Sequence, residues 1–377
     1  MNYFLITGMV RSGTTLLEKM LGSHPQVDIL SQPLPLLYRH LKEKFYQSID
    51  YPETYYVLNN LFNEKRYTGE DFTSFLKDYC LTEEELKKIV HKMQGWSGQK
   101  TSLYNWENNM MEELESGTLF NWYKQMLDEY CLSTGEVQRG SKEVLVEEFV
   151  PHFINHDVNV LVIVRDPRDV ITSLNFGKGT DYAGDYRPTL FHLRNWRKSV
   201  AIINTFAREE KFLKVRYEDL IQMKPDVLNG LIRFLKIQDY NFSTLNNKIL
   251  NRDGKEWQGN SSTTSFNGID SSNMEKYKNF LSTETIRYIE FMCQNEMKAM
   301  GYELQNKCGF TDYDPSQYKE NCKIENVGMD PNMSSARKEL NVEYKRQRLL
   351  NEERVEEAEI LAFFYSMKNY KVLKKYN

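Results

Sequence analysis

Arg11, Ser12, Thr14 and Thr15 fall in one stretch, Gly8-Met9-Val10-Arg11-Ser12-Gly13-Thr14-Thr15, just after the apolar run Tyr3-Phe4-Leu5-Ile6. Backbone N–H groups of a glycine-rich turn that opens a helix converge on one spot, and the helix dipole adds partial positive charge there. Gly8 and Gly13 permit close approach, the three hydroxyls add donors, and Arg11 adds a full charge. The chemistry on offer is the cradling of an anion. A loop that serves a nucleoside triphosphate places a lysine on the β/γ-phosphates, and that position holds Thr14. An acidic metal ligand ending a nearby strand is also missing, because the apolar run to Val164 ends in Arg165, with Asp166 one place late. The expected ligand ends in a group of lower charge than a γ-phosphate and needs no metal.

A second anion site is legible in Val162-Ile163-Val164-Arg165-Asp166-Pro167-Arg168-Asp169-Val170-Ile171-Thr172-Ser173. Pro167 suits the first turn of a helix that begins where the strand ends. Arg165 at the strand tip and Ser173 two helical turns on can meet one anion, the arginine through a bidentate fork. Arg168 and Asp169 read as an ion pair on the helix surface.

These side chains need elements to hold them. Residues 3 to 7 read as a short buried strand and Thr14 to Leu21 as a helix ended by Gly22. Val158 to Val164 is continuously apolar apart from Asn159, as suits a parallel strand covered on both faces. Phe212 to Val215 is a third strand, with a helix after Glu218. Strands separated by helices predict an α/β fold, a P-loop-like parallel sheet flanked by helices. Residues 41 to 135 interrupt that rhythm with Glu, Lys, Leu and aromatics at helical spacing, broken near Tyr51-Pro52, Gly69 and Gly95 to Gly98, and predict a helical insertion. Residues 281 to 300 predict an amphipathic helix stopped by Gly301. The expected organisation is one domain over 1–305 and a helical C-terminal extension over 306–377. In that extension Ser334 or Ser335 caps a charged helix, and Leu361, Phe364 and Tyr365 form a packing face.

The first loop with its following helix and Ser23-His24-Pro25 resembles the 5′-phosphosulfate loop of sulfotransferases, most closely the tyrosylprotein and Golgi-type carbohydrate enzymes. The resemblance implies a co-substrate, 3′-phosphoadenosine-5′-phosphosulfate (PAPS), and no metal. A sulfonate carries one negative charge where a γ-phosphate carries more, which fits the missing lysine. Arg11, Ser12, Gly13, Thr14, Thr15 and Leu16 are then the 5′-side ligands, and Arg165 and Ser173 hold the 3′-phosphate. Gly140-Ser141-Lys142-Glu143 resembles the family's Gly-x-Lys-(Asp/Glu) strand end, which implies that Lys142 sits on the bridging oxygen; with Arg11 it is the catalytic assignment. Lys100, in Gly98-Gln99-Lys100-Thr101, is a rival with poorer spacing. Leu213 to Leu220 resembles the segment that places a tyrosine, here Tyr217, near the nucleotide. Gly259-Asn260-Ser261-Ser262 resembles a late loop over PAPS, so Asn260 and Ser261 join the ligand set.

One position departs from the pattern. Those enzymes carry a glutamate base shortly after the His-Pro turn, and this chain has Ser31-Gln32. Gln32 takes no proton. Three explanations stay open: a base from elsewhere (Glu107, His24, His152 or His192), an acceptor that needs little help, or PAPS binding without transfer. The segment Tyr104 to Tyr130 is acidic and aromatic. It holds Glu107, Glu112, Glu113, Glu115, Asp128 and Glu129 beside Tyr104, Trp106, Phe120, Trp122, Tyr123 and Tyr130, a composition that suits a solvated helix with an aromatic core face or, as the alternative, contact with a cationic small-molecule acceptor.

Composition bounds the remaining classes. With 49 basic and 53 acidic residues among 377, the net charge of −4 argues against a generally basic nucleic-acid binder. No apolar run reaches the ~18 residues of a membrane span, and Met1 leads straight into a strand rather than a leader. Five scattered cysteines without a CxxC read as reduced thiols of a cytoplasmic protein. The sequence thus predicts a sulfotransferase acting on a hydroxyl or amine of a small molecule. A P-loop small-molecule kinase and a non-catalytic nucleotide-binding protein are the alternatives.

Overall fold

A computed structural model describes residues 2–50, 68–93, 116–131, 137–176, 189–246, 271–306 and 345–350, with isolated residues at 249, 256, 257, 259, 269, 313, 314, 317–319, 352, 354 and 357. The chain divides into two compact units. One takes in Met1–Tyr56, Gly69–Val164 and Arg208–Ser271, and the other takes in Val57–Thr68, Arg165–Ala207 and Ser272–Asn377.

The first unit is built on a five-stranded sheet, β1 (Asn2–Gly8), β2 (Val27–Ser31), β3 (Gln138–Lys142), β4 (Asn159–Val164) and β5 (Phe212–Arg216), in the order β2-β3-β1-β4-β5. Every pairing is parallel. Phe4, Leu5 and Ile6 of β1 and Val160 to Ile163 of β4 are fully buried, as strands covered on both faces must be. The α/β class and the three strands and first helix expected from the sequence are present. Helix α1 (Thr14–Gly22) follows β1 and packs against β1, β2 and β3.

Two strands were not legible from hydrophobic pattern. β2 is five residues with Asp28 inside it. β3 reads Gln-Arg-Gly-Ser-Lys and is nonetheless buried from Arg139 onward, because it pairs with β1 on one side and β2 on the other. Gly140 is required there by close approach: a Cβ would lie 2.5 Å from the Phe4 ring.

Between β2 and β3 run helices α2 (Pro35–Ser48), α3 (Gly69–Asp78), α4 (Glu83–Met93) and α5 (Leu119–Tyr130). This is the expected helical insertion, although its first helix starts at Pro35 and not near residue 41. Proline at the first helical position and a buried acceptor for the Leu34 N–H set that earlier start. Gly69 opens α3, consistent with a break there. Residues 51–67 and 94–115 lie outside the described residues. On α5, Leu119, Trp122, Tyr123, Met126, Leu127 and Tyr130 are buried at helical spacing. The described half of the acidic, aromatic segment therefore supplies core, not a binding face. Its Asp128 is taken by Tyr3 Oη at 2.9 Å and Arg139 at 2.8 Å, and Phe120 stacks on His156. Helix α6 (Val150–Asn155) packs on β4, and the short α9 (Tyr217–Ile221) follows β5.

The second unit's stretch from Arg165 follows directly on β4 in the chain. This unit contains α7 (Pro167–Ile171), a π-helical turn over Thr172–Phe176, α8 (Thr189–Phe206), α11 (Tyr277–Phe280) and α12 (Thr283–Ala299); α10 (Pro225–Leu235) belongs to the first unit. Helix α12 is capped by Ser282, whose Oγ accepts from the Thr285 N–H at 3.1 Å, and it closes at Gly301 with φ 77°. Of the C-terminal stretch, residues 345–350 pack within this unit. Arg346 lies 3.6 Å from Glu296, and Gln347 donates to the Met292 carbonyl at 2.7 Å. Ser334, Ser335, Leu361, Phe364 and Tyr365 lie outside the described residues. No helix among the described residues is long and apolar enough to cross a membrane.

Candidate active site

In parallel α/β sheets, ligands sit outside the carboxyl ends of the strands. In the first unit those ends carry Gly8, Ser31, Lys142 and Arg216. The loop after β1 is tight. The Ser12 N–H donates to the Met9 carbonyl at 3.1 Å and the Leu17 N–H to the Gly13 carbonyl at 3.1 Å. Arg11 and Gly13 both take left-handed backbone, with φ 70° and 97°. Gly13 is the N-cap of α1 and offers no side-chain cap, so the first N–H groups of the helix have no acceptor of their own. A Cβ on Gly13 would lie 2.3 Å from Cδ2 of Tyr217, which sets that ring against the loop backbone.

The Ser12 hydroxyl is the informative atom. Ser12 is 1% exposed, and its Oγ has no hydrogen-bond partner among the described residues. A buried hydroxyl left without a partner costs about 1–3 kcal/mol, a cost that a bound acceptor removes. Donor hydroxyl, open helix N-terminus and glycine-lined backbone all suit a sulfate or phosphate group, so the loop fits the expected 5′ end of PAPS. Thr14 and Leu16 are buried and Thr15 is half-buried; Leu16 therefore offers its backbone N–H, not its side chain.

Lys142 ends β3 and is 2% exposed. Its Nζ donates to Gln32 Oε1 at 3.3 Å and pairs with Glu18 Oε2 at 3.4 Å. The Gln32 N–H in turn donates to the Lys142 carbonyl at 2.7 Å, with Gln32 itself in left-handed backbone at φ 45°. Glu18, in the second turn of α1, also accepts from Ser31 Oγ at 2.8 Å and pairs with Lys19 at 3.0 Å. The next residue, Glu143, is 1% exposed and accepts from the Leu34 N–H at 2.8 Å. Burial pushes its carboxyl up to about 8, against the opposing effects of that N–H and of Lys142. The loop beyond is tied to the first loop, with the Leu145 N–H donating to the Gly8 carbonyl at 3.2 Å.

Three histidines considered as bases are placed by their surroundings. His24 Nδ1 accepts from the Gln26 N–H at 3.0 Å and Nε2 meets the Gln238 carbonyl at 2.9 Å, so both ring nitrogens are engaged in shaping the His-Pro turn. His152 is buried on α6, where burial and His156 push it down to about 3 and keep it neutral. His192 is buried on α8. Glu107 and Lys100 lie outside the described residues, as do Asn260 and Ser261.

In the second unit, Arg165 donates to the Asn273 carbonyl at 2.5 Å and stands 3.6 Å from Asp169, while its own carbonyl accepts from the Trp196 indole at 2.8 Å. Ser173 is half-buried in the π-helical turn after α7. Asp166 caps α7 by accepting from the Arg168 N–H at 2.9 Å. Arg168 and Asp169 are not the surface pair expected. Arg168, 3% exposed, forks onto Asp166 at 2.6 Å and Glu290 at 2.5 Å and stacks on Tyr277. Asp169, 1% exposed, accepts from the Glu275 and Tyr277 N–H groups at 2.8 and 3.0 Å. Burial raises its carboxyl pKa, with Arg165 opposing. Sequence spacing marks these as charged residues on a helix; only packing by α11 and α12 buries them.

The model of a sulfotransferase family matches residues 4–132, a span that contains the first loop and ends before Lys142. The sulfotransferase domain from the curacin biosynthetic pathway is 19% identical, with a TM-score of 0.44 over 81% of this chain and 99% of that one. The sulfotransferase domain of the Synechococcus PCC 7002 olefin synthase is 18% identical, with a TM-score of 0.44 over 80% and 96%. A retinol dehydratase solved with androsterone and inactive cofactor PAP is 13% identical, with a TM-score of 0.32 over 81% and 82%. No curated protein sequence matches the chain. The sulfotransferase resemblance read from the loop residues is matched at the level of the family model.

Proposed function

We propose that this chain is a PAPS-dependent sulfotransferase that moves a sulfonate group to a hydroxyl or amine of a small molecule. PAPS supplies the sulfonate as co-substrate: its sulfur–oxygen bond to the 5′-phosphate breaks, a bond from sulfur to the acceptor oxygen or nitrogen forms, the acceptor loses a proton, and 3′,5′-adenosine bisphosphate (PAP) leaves. Ser12 and the N–H groups of Gly13 to Leu16 bind the 5′ side, and Arg11 adds charge. Lys142 donates to the oxygen on which charge accumulates as the bond to sulfur breaks, an interaction stronger in the transition state than in the ground state. Arg165 and Ser173 are assigned the 3′-phosphate, and Tyr217, Asn260 and Ser261 the nucleotide.

The observation that carries this reading is the buried Ser12 hydroxyl without a partner among the described residues, in a loop whose sequence lacks the triphosphate lysine. Gln32, bonded to Lys142 where the resemblance places a carboxylate, takes no proton. Amines and readily ionised hydroxyls are therefore the favoured acceptors. A cationic acceptor would rest on Glu107, Glu112, Glu113 and Glu115. The test is calorimetric titration with PAP in EDTA beside ATP with Mg²⁺, followed by transfer from labelled PAPS to an acceptor panel. Tight PAP binding without metal and label transfer are expected. Preference for ATP with Mg²⁺ would establish a kinase instead. Gln32 also favours a second reading, a nucleotide-binding protein without chemistry; it predicts PAP binding and no transfer to any acceptor.

A further inference from the structure

We propose that Glu18 is a positioning residue that aims the Lys142 ammonium; this deepens the sulfotransferase reading and rests on it. An ammonium has three N–H donors. Among the described residues, Lys142 donates one of these to Gln32 Oε1 at 3.3 Å and forms an ion pair with Glu18 Oε2 at 3.4 Å. One hydrogen bond and one ion pair orient the head group and leave N–H capacity for a ligand oxygen. A four-carbon side chain without them would sample several rotamers, and displacement of a catalytic group by about 1 Å can lower rate by about 10²-fold.

The carboxylate is itself held in place. Glu18 is 2% exposed, one oxygen accepts from Ser31 Oγ at 2.8 Å, and the other pairs with Lys19 at 3.0 Å. It reaches Lys142 because α1 packs across β3, and Ser31 and Lys142 are register partners on β2 and β3. The charges facing Lys142 from the packed elements are Glu18 from α1 and, along its own chain, Glu143, with the neutral Gln32 amide following β2. Lys19 and Lys142 together outnumber the one carboxylate that they share, and Glu143, pushed up to about 8 by burial, is largely protonated at neutral pH, so the cluster retains a positive charge for an anion while the ammonium stays oriented.

This arrangement predicts effects of opposite sign. In Glu18→Gln the amide keeps an acceptor for Ser31 but removes a negative charge beside the anion site. PAP should bind about 3–10-fold more tightly, since a carboxylate beside the anion site repels the bound phosphate. Turnover should fall about 10–10²-fold because the lysine is no longer aimed. A lesion of the fold alone would weaken both, and parallel loss of PAP affinity and kcat, or unchanged kcat, would overturn the inference. Should Glu18→Gln fail to fold, Ser31→Ala, which frees the Glu18 carboxylate but keeps its charge, should lower kcat by a smaller factor and leave PAP affinity unchanged; unchanged kcat would overturn the inference. Should the wild-type protein bind no PAP, the sulfotransferase reading fails by itself. The tether is then judged by thermal unfolding of Glu18→Gln, Lys142→Met and their combination. A combined loss in Tm smaller than the sum of the two supports the pairing, and additive losses overturn it.

Discussion

Alanine at Gly13 is the most direct test of the loop. Gly13 caps α1 with φ 97°, and a Cβ there would stand 2.3 Å from Cδ2 and 2.8 Å from Cε2 of the Tyr217 ring. Left-handed backbone costs a residue with a Cβ about 1–2 kcal/mol. Both close contacts are to an aromatic ring that is itself 7% exposed, so the ring or the loop must shift, at about 1–3 kcal/mol. Gly13→Ala should therefore lose about 2–5 kcal/mol in urea unfolding, or else relax by opening the loop and lose PAP binding in calorimetry. Tyr217→Leu in the Gly13→Ala background relieves the collision but not the backbone strain, and should recover part of the loss. A Gly13→Ala protein with wild-type stability and wild-type PAP affinity would refute the reading of this loop as a close-fitting cradle.

Further expectations are specific to single groups. Lys142→Met should lower kcat about 10²–10³-fold, as for loss of an oxyanion donor, with a smaller change in PAP affinity, checked by label transfer and calorimetry. The Glu143 carboxyl is held up at about 8 in the folded chain against 4.5 when free. Between those values the unfolded chain releases a proton that the folded chain retains, so stability should fall as pH rises from 4.5 to 8. Glu143→Gln should flatten that slope in urea titrations. His152 behaves in the opposite sense: pushed down to about 3 from 6.5, it should lose stability as pH falls through that range, and His152→Leu should remove this acid-side loss. Arg168→Met leaves Asp166 and Glu290 buried without their cation and should cost about 3–5 kcal/mol in thermal unfolding.

The first loop was legible because its constraints are local. Glycines at Gly8 and Gly13, hydroxyls between and after them and an apolar strand before them specify a strand, turn and helix with little outside help. The same holds for β4, whose unbroken apolar run announces a central strand, and for α12, bounded by Ser282 and Gly301. The site around Lys142 was legible only by resemblance. Nothing in Gln-Arg-Gly-Ser-Lys suggests a buried strand, and Glu18 on α1 carries no signal of partnership with a lysine at position 142. That pairing arises because helix and strand, distant in the chain, pack together.

Sequence alone set the expectation for the ligand: an anion cradled by glycine backbone and hydroxyls, with no lysine for a third phosphate. Tertiary structure alone decided which charges are buried and how they pair. Arg168 and Asp169, read as a surface pair, became interior anchors, and of the two readings open for Trp122 and Tyr123, acceptor contact or helix core, burial selects core. The physical reason is range. Backbone turns and strand periodicity are set by neighbours along the chain, whereas desolvation, and with it the partner that each charge must find, is set by elements that meet only after folding.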